Sequence, residues 1–141
     1  MMPQDNKYGH WPKSGEIDIM EHTGNKLDMV YQCIHTEKYN HTRKDQYFHT
    51  VKIRGIADQF HTYGFEWDET SIKYFIDGEL THVYQKGEDN KSDQHDGWPF
   101  DQNFYLIMNM AVGGTLGGAI HSEDFPQQFI IKSIDIESSG E

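Results

Sequence analysis

Apolar and polar side chains alternate along much of the chain, and this pattern predicts β-strands. Five runs rich in β-branched and aromatic residues carry it, over residues 30–36, 47–53, 60–67, 72–76 and 79–84. Asp77-Gly78 separates the last two runs and predicts a tight hairpin, because glycine supplies the positive φ that such a turn needs.

Two later segments extend the β pattern. The nearly continuous apolar run over 104–112 predicts a strand buried on both faces, and 128–137 predicts the last strand. The polar stretch over 86–97 has no periodicity and predicts a surface loop. Because no helical stripe, repeat or domain boundary is evident, we expect residues 1–141 to belong to one all-β domain, a sandwich or jelly roll.

Three acidic residues near the start of the chain form the most informative motif. Glu16 and Asp18 are two positions apart, so on a strand they project from the same face. Glu21 is five positions after Glu16, an odd step that would turn it to the opposite face of a regular strand. One additional residue, Ile19 or Met20, in a β-bulge would bring all three acids to one face.

The chemistry of such a trio suits glycosidic cleavage. Ile17 and Ile19 are expected to point into a core behind the acids. Neighbouring carboxylates raise one another's pKa, so at least one of the three acids should hold a proton near neutral pH. Glycosidic hydrolysis needs one ionised and one protonated carboxyl, about 5–5.5 Å apart for retention and about 6.5–9.5 Å apart for inversion. Acids on one strand fit the shorter distance. A solvated strand face is the ordinary alternative, but the third acid and the upstream Trp11 favour a catalytic site.

Composition narrows the possible ligands. The 23 acidic and 12 basic residues give a formal net charge of −11, which disfavours nucleic acid, and no apolar run approaches the about 20 residues of a membrane span. The single cysteine, Cys33, excludes an intramolecular disulfide and a cysteine-based zinc cluster. The nine histidines show no metal-binding spacing and are interpreted as surface residues. Aromatic residues make up 13% of the chain; most are expected in the core, and exposed ones would suit sugars.

At this point a family resemblance becomes visible. The segment 11–22 resembles the active-site strand of glycoside hydrolase family 16, especially its laminarinase-like endo-β-1,3-glucanases. The inserted Met20 separates these from the lichenase and xyloglucan branch, whose active-site strand is regular. Further similar stretches are 34–42, 60–78, 98–101, 108–114 and 133–136. The resemblance implies a concanavalin A-like jelly roll, of which this chain would be the C-terminal part.

The resemblance also implies a role for each residue of the motif. Glu16 would be the nucleophile that forms a glycosyl-enzyme intermediate, and Glu21 would be the general acid that later acts as the base. Asp18, between them, would hydrogen-bond Glu16 and help set the protonation of the trio. Trp11 would stack on the sugar on the non-reducing side of the scissile bond, or simply pack beneath its loop.

Other implied sites lie outside this motif. His35 and Asn109 would contact substrate hydroxyls or brace the carboxylates, although either could be structural. Catalysis would need no cofactor, but many bacterial members carry a structural calcium, for which Asp135 would supply the side-chain ligand. In those members the other calcium ligands come from N-terminal backbone, which we expect to lie outside this chain, so the calcium site would be incomplete.

The expected substrate is a β-1,3-glucan of the laminarin type, hydrolysed internally with retention. Mixed-linkage β-glucan or a marine galactan is an alternative substrate, and a non-catalytic glucan-binding role is an alternative function. The resemblance implies a secreted, periplasmic or cell-surface protein, although no signal peptide is recognisable. Since the family's N-terminal strands are expected to be missing, the chain would expose strand edges and could depend on that missing part as a partner.

Overall fold

The computed structural model describes residues 1–44, 47–87 and 94–138. Within these ranges the strands are β1 (Met2–Pro3), β2 (Glu16–His22), β3 (Met29–His35), β4 (Tyr47–Lys52), β5 (Tyr63–Trp67), β6 (Ser71–Ile76), β7 (Glu79–Gln85) and β8 (Phe104–Tyr105). The helical segments are single turns, at His41–Arg43, Gly114–Gly117 and Ser122–Asp124. No described helix is long and apolar enough to cross a membrane.

The strands form antiparallel sheets in the orders β2-β3-β4, β5-β6-β7 and β1-β8. The hairpin between β6 and β7 turns at Asp77 and Gly78, whose φ angles of 53° and 84° are both positive. This is the conformation of a type I′ turn, whose twist matches that of the flanking strands. The predicted hairpin is therefore confirmed.

The two three-stranded sheets share one hydrophobic core. Ile17 and Ile34 from β2 and β3 cluster with Ile72 and Tyr74 from β6, and all four side chains are fully buried. The Tyr74 hydroxyl also donates a hydrogen bond of 3.0 Å to the Cys33 carbonyl oxygen on the other sheet. Because one face of β2 is buried in this core, its alternate side chains are left on the opposite face.

The chain divides into two compact units, Met1–Ile107 and Met108–Glu141. The predicted strand over 104–112 is wrong beyond Tyr105, because no partner strand pairs with the later residues within the described part of the chain. The predicted strand over 128–137 is wrong for the same reason, and Ile136 is 84% exposed. Of the predicted loop over 86–97, residues 88–93 lie outside the described residues.

Candidate active site

A β-bulge in β2 brings the acidic residues to one side of the sheet. Asp18 pairs with Cys33 of β3, whereas Glu21 pairs with Tyr31, so three steps along β2 match two along β3. The register shift between Asp18 and Glu21 is the one-residue bulge predicted from the sequence. The bulge turns the side chain of Glu21 to the same face of the sheet as those of Asp18 and Glu16.

The apolar side chains of β2 anchor this arrangement from behind. Ile17 is completely buried in the shared core, and Met20 packs on a second cluster formed by Val30, Ile56 and Ile76. The expectation that Ile19 would occupy the core is therefore wrong. The bulge shifts the inward phase by one residue, so Met20 packs on the core in place of Ile19, although both side chains are half-buried.

A tight turn leads the chain into β2. The Gly15 amide donates to the Pro12 carbonyl at 3.1 Å, and Gly15 has a φ of +87°. A Cβ atom at this position would lie 2.9 Å from Cγ of Pro99. Glycine is required here by both the positive φ and the close approach. The turn fixes where Trp11 lies relative to Glu16.

The three carboxyls affect one another's protonation. Burial, followed by the charge of Asp18, raises the pKa of Glu21 to about 7, and the charge of Glu16 contributes in the same direction. Burial and Asp18 also raise the pKa of Glu16, while the Trp11 hydrogen bond and His35 lower it. The carboxyl at the far side of the bulge is therefore the one best suited to hold a proton near neutral pH.

Trp11 lies directly against the first carboxylate. Its indole N–H donates to Oε2 of Glu16 at 2.5 Å, and its ring lies 5.1 Å from that of His41. Trp11 is 37% exposed, so part of the residue is open to a ligand. Stacking of Trp11 on a sugar stays a prediction, whereas the hydrogen bond to Glu16 is a contact that the sequence analysis missed.

His35 connects β3 to the carboxylates. It pairs with Glu16 in the sheet, and its Nε2 lies 3.4 Å from Oδ2 of Asp18. Burial lowers the pKa of His35, but the Asp18 hydrogen bond and the nearby carboxylate charges outweigh it and raise the pKa overall. Nδ1 of His35 is buried without a hydrogen-bond partner. This histidine is not a surface residue, and it lies where it can brace Asp18.

The two other predicted site residues lie in the unit Met108–Glu141. Asn109 is exposed, so the expectation of an amide inside an apolar strand is wrong. Asp135 is also exposed, and its Oδ2 accepts a hydrogen bond of 3.5 Å from the Ser133 hydroxyl. Calcium takes six to eight oxygen ligands, and no cluster of three metal-binding side chains within the described ranges includes Asp135. Calcium at Asp135 stays a prediction.

Cys33 also belongs to this face, although the sequence motif around the acids did not include it. Cys33 pairs with Asp18 and lies between Tyr31 and His35 on the carboxylate side of β3. Burial, and then the charges of Asp18, Glu21 and Glu16, raise the pKa of its thiol, which keeps it neutral. The alternation of Tyr31, Cys33 and His35 along one predicted strand was the signal that could have placed it here.

Comparisons with known proteins agree with this geometry. The sequence profile described as glycosyl hydrolases family 16 matches residues 1–126. A beta-glucanase of Rhodothermus marinus is 38% identical over 142 residues, covering 96% of this chain and 49% of that protein. A glucan endo-1,3-beta-glucosidase of Cryptopygus antarcticus is 35% identical, covering 84% of this chain and 45% of that protein.

The structural comparison gives the same result. The X-ray structure of the laminarinase from Rhodothermus marinus superimposes with a TM-score of 0.83 at 38% identity, covering 89% of this chain and 52% of that one. The predicted all-β jelly-roll class is confirmed, and the chain spans about half the length of the curated relatives it matches. With its bulged strand, its carboxylate trio and a profile match over most of its length, the chain belongs to glycosyl hydrolases family 16.

Proposed function

We propose that this chain carries the catalytic strand of a retaining endo-β-1,3-glucan hydrolase. The observation that carries the proposal is the β2 bulge, which sets Glu21, with a pKa of about 7, on the same face as Glu16 and Asp18. A carboxyl that holds a proton beside one that can ionise is what a double displacement needs.

In the first step, Glu16 attacks the anomeric carbon of the bound sugar. Glu21 donates its proton to the glycosidic oxygen, so that the leaving sugar departs as a neutral alcohol. In the second step, Glu21 accepts a proton from water as the water attacks the same carbon and releases Glu16. Two inversions give net retention of the anomeric configuration.

The contacts of Glu16 favour its role as the nucleophile. The Trp11 indole N–H and the nearby His35 both favour the ionised form of Glu16, against burial and the Asp18 charge. The charge of His35 lowers the pKa of Glu21 as well, but no hydrogen-bond donor among the described residues does so, and burial and the Asp18 charge raise that pKa to about 7. Asp18 lies between the two and is held by His35, and its charge adds to burial in raising the pKa of Glu21.

The substrate we propose is a laminarin-type β-1,3-glucan, cleaved internally outside the cell. The support comes from relatives: the Rhodothermus marinus structure is a laminarinase, and the Cryptopygus antarcticus protein is a glucan endo-1,3-beta-glucosidase. A neutral polysaccharide is compatible with the net charge of −11, which would repel a polyanion.

Product analysis tests both substrate and mechanism. The chain alone, and the chain joined to the part of the Rhodothermus marinus beta-glucanase that the match leaves uncovered, would be incubated with laminarin, lichenan, agarose and carrageenan. We expect the joined protein to release short oligosaccharides from laminarin, with the β-anomer appearing first in proton NMR spectra.

The other outcomes separate the alternatives. Preferential cleavage of lichenan or of a galactan would overturn the substrate, and initial release of the α-anomer would overturn the retaining mechanism. Laminarin binding without turnover by the joined protein would indicate a glucan-binding role instead. The matched control is the joined protein carrying Glu16→Gln, which should bind laminarin and leave it intact.

A further inference from the structure

A second feature of the carboxylate face is a cluster of three different donor atoms contributed by neighbouring strands. Asp18 of β2 faces Cys33 and His35 of β3, and one ligand atom from each lies within 4.8 Å of the others. Nε2 of His35 lies 3.4 Å from Oδ2 of Asp18 and 3.6 Å from Sγ of Cys33. A single cysteine excludes a zinc cluster built from several cysteines, but it allows a mixed site of this kind, which the sheet register assembles.

The two separations measured from Nε2 of His35 match those of a tetrahedral zinc site. Zinc bonds are about 2.0–2.1 Å long to nitrogen, about 2.0–2.2 Å to oxygen and about 2.3 Å to sulfur. In a tetrahedral site these lengths place nitrogen and oxygen ligands about 3.3 Å apart, and nitrogen and sulfur ligands about 3.5 Å apart. The two measured distances, 3.4 and 3.6 Å, lie within about 0.1 Å of these values. Two of the three separations therefore match a tetrahedral site, and the Asp18 oxygen and the Cys33 sulfur lie within 4.8 Å of each other, close enough to bind one ion after a small side-chain adjustment.

We propose that Asp18, Cys33 and His35 form a Zn²⁺-binding site, with the fourth position of the tetrahedron open to water. Carboxylate oxygen, imidazole nitrogen and thiolate sulfur are all ligands that Zn²⁺ accepts. On binding, the Cys33 thiol loses its proton to solvent and the sulfur bonds to the metal, without oxidation or reduction. The carboxylates of Glu16 and Glu21, whose charges act on the same residues, favour entry of a cation.

The affinity should be moderate, because the support around the ligands is incomplete. A metal-binding histidine ordinarily donates its other ring N–H to an acceptor, and loss of that partner weakens binding by about 10–100-fold. Nδ1 of His35 is buried without such a partner. We therefore expect binding weaker, by about that factor, than at a site whose histidine is fully supported.

Cobalt spectroscopy tests the site without any reference to hydrolysis. Co²⁺ added to the reduced chain should give a one-to-one complex with the visible bands of tetrahedral cobalt and a near-ultraviolet sulfur-to-cobalt charge-transfer band. Added Zn²⁺ should displace the cobalt and remove both signals. A wild-type chain that shows no charge-transfer band at saturating cobalt would overturn the proposal.

Matched variants identify the ligands. Cys33→Ser should abolish the charge-transfer band and weaken zinc binding at least tenfold, measured by competition with a chromophoric chelator. His61→Gln is the control, because His61 also contacts a carboxylate, that of Asp77 at 2.7 Å, but lies before β5 and outside this cluster. An equal loss of the charge-transfer band and of zinc affinity in both variants, or no loss in Cys33→Ser, would contradict the assignment. Circular dichroism spectra of each variant ensure that folded chains are compared.

Zinc bound at this site would also coordinate Asp18, which lies between the two proposed catalytic glutamates. In a protein that hydrolyses glucan, we expect reversible inhibition by zinc, relieved by a chelator and weakened by Cys33→Ser. This consequence rests on the proposed function. Metal binding without inhibition would contradict the role of Asp18 in hydrolysis, whereas absence of the cobalt signals would contradict the metal site.

Discussion

The charge of Asp18 should control the pH at which Glu21 gives up its proton. Replacing Asp18 with asparagine removes this charge and keeps nearly the same shape. Burial, the larger cause of the raised pKa of Glu21, is unchanged by the substitution. We therefore expect the pKa of Glu21 to fall only part of the way from about 7 toward its ordinary value of 4.5.

The size of the shift follows from the register of the sheet. Asp18 and Glu21 lie opposite Cys33 and Tyr31, which are two residues apart on β3 and hence separated by about 6.6 Å. Two unit charges at that distance interact by about 2.5 kcal/mol at an effective dielectric constant of about 20, and by about 0.6 kcal/mol in water. Because the site is half-buried, an intermediate value of about one pKa unit is expected, which brings Glu21 to about 6.

Two measurements check this value. In an active protein, the high-pH limb of kcat/KM reports the general acid of the free enzyme, so it should move down by about one pH unit in Asp18→Asn. The carbon-13 chemical shift of the Glu21 carboxyl, followed against pH, gives the same pKa without turnover. Glu66→Gln is the control, since Glu66 pairs with Lys73 at 3.2 Å, outside the trio. A limb that stays in place, or moves up, would refute the electrostatic reasoning.

The remaining predictions concern the nucleophile, its partner and stability. Glu16→Gln should lower hydrolysis on the order of 10³-fold or more while laminarin affinity, measured by calorimetry, stays within a few-fold. Trp11→Phe removes the N–H that lowers the pKa of Glu16, so the low-pH limb of kcat/KM should shift upward; an unchanged limb would contradict that role. Because the folded-state pKa of Glu21 is raised, its contribution to stability is complete below about pH 4.5 and is lost as the pH rises through about 7. Thermal melts should show a fall in stability of about 1–2 kcal/mol after solvent screening, and the pH dependence should be smaller in Glu21→Gln. Ile17→Ala should cost about 2–5 kcal/mol in urea denaturation, against about 0.5 kcal/mol or less for Ile136→Ala, and equal costs would contradict the assigned core.

The elements that the sequence predicts well are those whose partners are close along the chain. The hairpin at Asp77-Gly78 joins adjacent strands, and its turn residues are sufficient to identify it. The bulge was predictable because three acids with an odd step can share a face only if one residue is added. Which apolar residue then faced the core was not predictable: Met20 rather than Ile19 packs there, as decided by the side chains of Val30, Ile56 and Ile76.

The segments 104–112 and 128–137 show the opposite case. Their β-branched and apolar residues predict strands, but a strand exists only where a second backbone accepts and donates its hydrogen bonds. Only Phe104–Tyr105 has such a partner in the described ranges, namely β1. These residues do have high β-propensity, but propensity alone does not predict whether a partner strand is present.

The sequence by itself determined the all-β class, the carboxylate trio and the need for a bulge, because each depends on residue type and on the two-residue period of a strand. Only the tertiary structure decided which groups surround the trio. Burial against the second sheet, and the position of Cys33 and His35 beside Asp18 on the neighbouring strand, come from contacts between residues distant along the chain. The indole N–H of Trp11 reaches Glu16 through the local turn that precedes β2. The protonation of Glu21 depends on burial and on charges that act through space, and neither can be read from positions along the chain.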